Sequence, residues 1–224
     1  MKLTIDHIYG NMSNFDLQIP RLKLDLEDSK EIEALENGWL IYNNEWYQSR
    51  SVRIDVDKYT KVPKKIKDHE VYFECLVDIK EIDRVFETFL NKKKLKSLYE
   101  LHIDKERTVW LLVRKNGILV AFTKFINYEN GIESQYTAWD YEEPKLSIGT
   151  KIVDYEVEFV KSKGLKYLYI GSGYGEVSKY KAKFEGFEWW TGTEWSTDKY
   201  KYLELCDRDE KIKTLEDLSK IYVT

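Results

Sequence analysis

The amino-acid sequence predicts an α/β fold, a mixed sheet whose antiparallel meander is followed by a βαβ unit with splayed parallel strands. Three observations carry that prediction. Lys115-Asn116-Gly117 separates the apolar runs 108–113 and 118–128, and an Asn-Gly pair between such runs is the strongest short-range hairpin signal. Glu129-Asn130-Gly131 turns the chain again into 131–139, a polar and aromatic third strand. Pro144 then breaks the chain ahead of Ser147-Ile148-Gly149-Thr150, which opens an amphipathic helix ending at Lys163-Gly164, and 165–170 follows as a short buried strand. That order sets a helix N-terminus, with bare N–H groups and a positive dipole end, at the carboxyl end of a strand, where open sheets place ligands.

The remaining elements are read in chain order. Leu3-Thr4-Ile5 and 22–26 are strand fragments or an arm, separated by Gly10-Asn11 and Ile19-Pro20. Ser29 can cap a short helix through Glu36, with Glu31 and Glu33 in its first turn, and Asn37-Gly38 ends it. Residues 39–47 read as one strand. Residues 51–57 alternate strictly, Val52, Ile54 and Val56 on one face and Arg53 and Asp55 on the other, which predicts a half-buried strand. A strand at 71–77 precedes the longest helical pattern, 79 to about 101, with Ile79, Ile82, Val85, Phe86 and Phe89 on one face. In the helix after Ser147, Ile148, Ile152, Tyr155 and Phe159 form a single stripe. Beyond the loop Gly171-Ser172-Gly173-Tyr174-Gly175 come a short helix at 177–184, an aromatic strand at 193–205 and a closing helix at 214–222. With no repeat and no Pro-, Gly- or Ser-rich linker, the organisation reads as a platform, 1–100, leading into a second domain, 101–224.

Composition narrows the function classes. At 224 residues with 42% hydrophobic and 15% aromatic residues the chain folds and carries a sizeable core. No apolar run approaches the ~20 residues of a membrane span and the N-terminus lacks a signal-peptide core, so a cytoplasmic protein without a membrane partner is expected. Cys75 and Cys206 each lie in an apolar, strand-like run and suit buried reduced thiols. No pair among the cysteines and His7, His69 and His102 has metal-ligand spacing, so no metal is expected. A Gly-x-Ser-x-Gly nucleophile elbow is absent. The net charge of −4 argues against indiscriminate nucleic-acid binding, yet Arg50, Arg53, Lys58, Lys61, Lys64, Lys65 and Lys67 crowd one segment and Lys92, Lys93, Lys94 and Lys96 another. These clusters are either solvated faces or a phosphate-backbone footprint.

Several short motifs carry a resemblance. Gly131-Ile132-x-x-x-Tyr136-Thr137-x-x-Asp140, Ser147-Ile148-Gly149-Thr150, the run 164–171 and Tyr180-Lys181-Ala182-Lys183-Phe184 occur in order, preceded by Asn37-Gly38-Trp39, Arg53-Ile54-x-Val56 and the lysines near 64 and 65. Over roughly residues 35 to 190 the chain resembles the arginyl- and leucyl-tRNA-protein transferases, enzymes of GNAT-like fold that add an amino acid to protein N-termini. Tyr141 stands where that family has proline. The family's cysteine cluster before the Arg-Ile strand is missing, and the segment after Gly171 is shorter. The resemblance implies a GNAT-like acyltransferase domain at 101–224 in which the turn from Leu146 to Thr150 is the pyrophosphate loop of that fold. It implies charged tRNA as donor and no separate cofactor, and as acceptor an amine on a protein, peptide or small molecule; within the same fold, acetyl-CoA or another acyl-CoA is the rival donor, and an inactive binding protein a further alternative.

Transfer of an aminoacyl group from an ester to an amine needs a neutral amine, a stabilised oxyanion and a proton for the departing oxygen. Glu133, Gln135 and Tyr136 lie on the strand bordering the expected cleft, with Asp140 at its end. Glu133 or Asp140 could take the amine's proton, or either is a solvated strand-end carboxylate. Tyr169 is the family-like hydroxyl for the leaving oxygen, or a buried tyrosine satisfying a carbonyl. Ser147, Ile148, Gly149 and Thr150 offer backbone donors, with Ser147 also read as an N-cap. Gly171-x-Gly173-x-Gly175 lacks both the dinucleotide fingerprint and the Walker lysine and is not read as a phosphate loop. Arg53, Tyr180, Lys181 and Lys183 are candidate substrate contacts, the two lysines either meeting an acceptor stem or acidic acceptor, or forming a solvated helix face. Lys64, Lys65 and Lys67 with Lys92, Lys93 and Lys94 are the candidate nucleic-acid contacts.

Overall fold

The computed structural model describes residues 2–9, 18–25, 30–42, 45–94, 103–104, 106–142, 147–212 and 217. In chain order come β1 (Lys2–Tyr9), β2 (Gln18–Asp25), α1 (Glu31–Glu36), β3 (Trp39–Tyr42), β4 (Glu45–Gln48) and β5 (Ser51–Asp55). Next are β6 (Glu70–Glu74), α2 (Ile79–Lys93), β7 (Thr108–Lys115), β8 (Ile118–Asn127), β9 (Gly131–Trp139), α3 (Ile148–Ser162) and β10 (Tyr167–Ser172). A 3₁₀ helix (Glu176–Lys183), β11 (Phe187–Trp190), β12 (Trp195–Ser196) and α4 (Lys199–Lys211) close the described chain. By its contacts the chain divides into a continuous unit, Asp55–Tyr169, and a discontinuous one, Met1–Ile54 with Ile170–Thr224.

In the continuous unit β6, β7, β8 and β9 form an antiparallel meander. The β7–β8 turn places Asn116 and Gly117 at φ 51° and 80°, the left-handed pair that a tight hairpin requires. The start of β10 joins β9 in parallel, from Tyr167 opposite Gly131 to Tyr169 opposite Glu133. Past that third pair β9 keeps β8 on one side and has no ladder partner on the other among the described residues. The sheet is mixed and GNAT-like with a parallel pair, as the sequence predicts.

Alternation along β8 sends Phe122 and Lys124 to one face and Thr123 and Phe125 to the other. Phe122 meets Phe86 of α2 at a ring distance of 6.2 Å, within an apolar cluster of Ile82, Val85, Leu90, Trp110 and Ala138. Phe125 meets Phe159 of α3 at 6.0 Å. The two helices therefore cover opposite faces, and each fully buried phenylalanine contributes roughly 1.5–3 kcal/mol.

Three expectations for this unit need correction. α2 ends at Lys93, because Lys94 takes a left-handed cap at φ 55°, and residues 95–102 lie outside the described residues. The buried stripe of α3 is Ile148, Ile152, Val153, Glu156, Val157 and Val160, rotated from the expected line: a broad sheet covers more than one row of a helix, and Tyr155 is left at the margin with its hydroxyl on Lys64 O at 3.1 Å. Ser147 is not an ordinary side-chain N-cap; it sits at φ 51° and its side chain makes no capping hydrogen bond.

The discontinuous unit holds a four-stranded sheet in the order β1-β2-β4-β3 and the antiparallel set β5-β11-β12. Residues 39–47 are a hairpin rather than one strand, with 43–44 outside the described residues. β5 is buried on both faces instead of half-buried, since Arg53 pairs across the strands with Glu188 at 2.8 Å and its guanidinium stacks 3.9 Å from the Trp195 ring. The expected strand 193–205 shrinks to β12: the Asp198 side chain accepts from Lys201 N–H and starts α4, which buries Tyr202 and Cys206 one turn apart. Cys206 is thus a buried helix thiol and Cys75 an exposed one, not the expected pair of buried strand thiols. The expectations resting on Gly10-Asn11, Ser29, His102, Pro144, Leu146 and the closing helix 214–222 lie outside the described residues, apart from the helical Asp217.

Candidate active site

β9 carries an irregularity that decides what faces what. Lys124 stands opposite Tyr136 and Phe125 opposite Ser134, so Gln135 is an extra residue between two register pairs, a β-bulge. Simple alternation would send Tyr136 to the face opposite Gln135. Instead Glu133, Gln135 and Tyr136 share the α2 face, while Ser134 and Thr137 share the α3 face, as their contacts show.

On the α2 face these side chains meet a lysine that sequence reasoning missed. Lys124 Nζ donates to Gln135 Oε1 at 3.0 Å and lies 5.7 Å from the Tyr136 ring centroid. Gln135 Nε2 donates to Glu133 Oε2 at 3.3 Å, and the Tyr128 hydroxyl donates to the same oxygen at 2.6 Å. Lys124, Glu133 and Tyr128 are all buried, Lys124 to 2% exposure. Burial pushes the Lys124 ammonium down to about 8, while the charges of Glu133 and Asp104 pull it the other way. The result is an amine close to half neutral in mildly alkaline solution, linked through one amide to a carboxylate, at the point where the β9–β10 ladder stops.

Tyr169 lies at that same last ladder pair, fully buried, its hydroxyl donating to Asn130 Oδ1 at 3.1 Å and its ring edge-on to Tyr128 at 5.8 Å. Gly131 makes the approach possible, because a Cβ there would fall 2.4 Å from Tyr167 O. Asp140 stands apart from the cluster: it is buried at the end of β9 and accepts the Glu142 N–H at 3.1 Å.

The start of α3 is tied to β9 by ring packing. A Cβ on Gly149 would come within 2.8 Å of the Trp139 ring, so glycine is needed there to let Trp139 lie against the first turn. Ser147 O accepts the N–H groups of Thr150 and Lys151, and the N–H groups of Ile148 and Gly149 belong to the first turn, which has no intrahelical acceptor.

On the α3 face lies a second group absent from the sequence reading. Glu156 is 1% exposed and its Oε1 accepts from both Thr123 Oγ1 at 2.9 Å and Ser134 Oγ at 3.2 Å. Burial pushes its carboxyl up to about 7, against the two hydroxyl hydrogen bonds, which favour the charged form. Lys124 and Glu156 did leave a signal. Lys124 is a lone ionisable residue within the apolar run 118–128, and Glu156 stands four residues after the apolar Ile152; such residues are almost never fully buried unless partnered.

The other sequence-predicted residues fall into two groups. In the continuous unit, Lys64, Lys65 and Lys67 are exposed on a loop held by the buried Tyr59 and Ile66, with Tyr59 OH on Asp154 at 2.5 Å and Lys161 Nζ on Tyr59 O at 2.6 Å. Lys92, Lys93 and Lys94 are exposed at the end of α2, and Lys93 Nζ lies 5.9 Å from the Tyr141 ring, which packs on Trp139. In the discontinuous unit, Arg53 is fully engaged as described above. Lys181 does not project from the short helix: it is buried, with Nζ donating to Ile170 O and Ser172 O, both at 2.6 Å. Tyr180 and Lys183 do face solvent, lining an open groove with Lys179, Lys199 and Leu203. The glycine loop is closed by carboxylates, Gly175 N–H on Asp209 at 3.2 Å and Glu176 N–H on Glu210 at 2.7 Å.

The site thus holds a buried amine and a buried carboxylate at the end of the parallel pair in a mixed α/β sheet. Comparison with known families is more definite: residues 68–191, more than half of the chain, match the model described as arginine-tRNA-protein transferase, C terminus, and the chain belongs to that family. Lys124, Glu133, Gln135, Tyr136, Glu156 and Tyr169 all lie within the matched span. Among solved structures it is similar to L-PGS from Bacillus licheniformis, at 17% identity and a TM-score of 0.45 over 70% of this chain and 58% of that one. It is also similar to a GCN5-related N-acetyltransferase from Kribbella flavida, at 11% identity and a TM-score of 0.39 over 66% and 55%. The chain thus spans little more than half the length of each. No curated protein matches it.

Proposed function

We propose that this chain transfers an amino acid from charged tRNA to the amino group of a protein, peptide or small molecule. The single observation that carries the reading is the Lys124–Gln135–Glu133 chain at the fork of β9 and β10, inside the family-matched segment. Attack of the acceptor nitrogen on the ester carbonyl forms the new amide and releases the ribose hydroxyl. Glu133 takes the proton that the nitrogen sheds and returns it to the departing oxygen, so the step is balanced in protons. Gln135 bridges Lys124 and Glu133 and so holds the carboxylate beside the amine. Backbone donors at the start of α3 face the donor's anionic end.

The exposed lysines supply the tRNA contact. In a chain of net charge −4 binding rests on local clusters, each neutralised phosphate contributing through counterion release. The net charge itself favours the rival reading, acyl-CoA-dependent N-acylation. Incubating the protein with radiolabelled charged tRNA, and separately with acetyl-CoA, against pooled peptide acceptors separates the two. Lys64→Glu with Lys65→Glu is expected to weaken charged-tRNA binding uniformly across tRNA sequences and to flatten its salt dependence, with stability changed by no more than about 0.5 kcal/mol. Unchanged affinity and salt slope in that double variant would remove the tRNA reading in favour of acyl-CoA.

A further inference from the structure

The α3 face of the sheet carries a buried polar cluster set among aromatic and aliphatic side chains. Thr123, Ser134 and Thr137 gather there around Glu156, with Thr123 Oγ1 and Thr137 Oγ1 3.0 Å apart and Ser134 Oγ and Thr137 Oγ1 3.5 Å apart. Elsewhere that face is filled by Phe125 and Phe159, together with Ile152 and Val160. A buried carboxyl among hydroxyls is a poor way to fill a core, because each polar group must give up water and be repaid by a partner in place. Its position is informative. Ser134 and Thr137 are the two β9 residues that bracket the bulge, and Thr123 is on β8 beside Lys124, where the register shifts.

We propose that Glu156 is a positioning residue, which clamps the β9 bulge from the α3 face and so holds Glu133, Gln135 and Tyr136 together on the α2 face around Lys124. The reason lies in the twofold repeat of a strand. Without the extra residue, Glu133 and Gln135 would share a face with Thr137, and Tyr136 would turn to α3. With it, Ser134 and Thr137 are anchored to one face, and Glu133, Gln135 and Tyr136 serve the other. Both hydroxyl bonds from β8 and β9 converge on the single atom Oε1, so one side chain ties the two strands at the irregularity. Glu156 touches none of the reacting groups; it acts through the backbone of β9. As a role in catalysis this rests on the transfer reading above.

Three forms of the full chain test it: wild type, Glu156→Gln, which keeps an oxygen where Oε1 stands, and Glu156→Leu, which removes it. The deciding measurement is the titration midpoint of Lys124 Nζ by NMR with ¹⁵N-labelled lysine, which needs no activity. In Glu156→Leu the midpoint is expected to rise by about one pH unit toward that of an ordinary lysine, as the released strand lets water reach the amine and relieves the burial that depresses it. In Glu156→Gln it is expected to stay at the wild-type value. Charged-tRNA transfer should show the same split, with kcat lowered by about 10²-fold in Glu156→Leu, KM for tRNA unchanged, and kcat at the wild-type value in Glu156→Gln. A leucine form that folds with an unmoved Lys124 midpoint overturns the proposal and leaves Glu156 a packing residue. Should that form not fold, Thr123→Val, which removes one of the two hydroxyls, is judged by the same criterion. A wild-type protein inactive with charged tRNA would sink the transfer reading alone, since the midpoint still decides the clamp.

Discussion

Each of the two units buries basic side chains, and they treat them in opposite ways. In the discontinuous unit Arg50 is paired with Asp209 at 2.6 and 3.3 Å, donates to Gly173 O at 3.0 Å and lies 4.7 Å from the Tyr174 ring centroid. Burial works against that charge, but the hydrogen bond and charge of Asp209 more than offset it, and the guanidinium is held above its usual range. In the continuous unit burial wins at Lys124, whose charge is disfavoured even with Glu133 and Asp104 nearby. The difference teaches how to sort buried charge: a cation whose fork is matched by a carboxylate is committed to structure, while one held near neutrality can serve chemistry at ordinary pH.

The comparison can be broken at three points. The largest effect is expected from Glu133→Gln, which removes the proton acceptor while keeping the hydrogen bonds of Gln135 and Tyr128 within reach. Transfer should fall by about 10²–10⁴-fold with charged-tRNA binding intact, read in single-turnover assays. A variant with near wild-type turnover would return Glu133 to the status of a structural carboxylate.

Asp209→Ala is the counterpart in the other unit. It leaves the Arg50 guanidinium buried without its matched carboxylate and should lower unfolding stability by about 3–5 kcal/mol in denaturant titrations. Where the variant is still folded, turnover per folded molecule should be unchanged. A matching loss of turnover would show that the two buried cations are not divided between structure and chemistry.

The smallest effect sharpens the contrast through pH. Burial raises the Glu156 carboxyl from 4.5 in the unfolded chain to about 7, so the folded state binds this proton more tightly. The stabilising contribution is full below about 4.5 and is lost as pH rises through about 7, up to roughly 3 kcal/mol. Glu156→Gln should abolish that decline, so that the stability curves of the two proteins diverge between those limits. Parallel curves would mean that the carboxyl titrates as an exposed one does.

Much of the fold was legible because its signals are local. Asn116-Gly117 can close a hairpin in any context, and the strand, helix and strand from 131 to 170 are marked off by the turn signals Asn130-Gly131 and Lys163-Gly164. Glu133, Gln135, Tyr136 and Tyr169 are read as site candidates from residue type and position on strands bordering a parallel pair. Two of the residues misread from sequence have their deciding partner outside the element they sit on. Arg53 looks like a solvated residue of an alternating strand until Glu188, 135 positions later, pairs with it. Lys181 looks like a surface lysine until the carbonyls of Ile170 and Ser172 take its ammonium.

By itself, then, the sequence determined the order and type of the central elements and the family, since turn chemistry and hydrophobic period depend on neighbours a few residues away. Tertiary structure alone decided that Lys124 and Glu156 are buried on opposite faces of β8 and β9. It also decided that a one-residue bulge at Gln135 turns Tyr136 toward the lysine. Which face a strand residue presents is fixed by its register with the next strand, and register is set by packing summed over the whole sheet, a quantity that no stretch of a dozen residues contains.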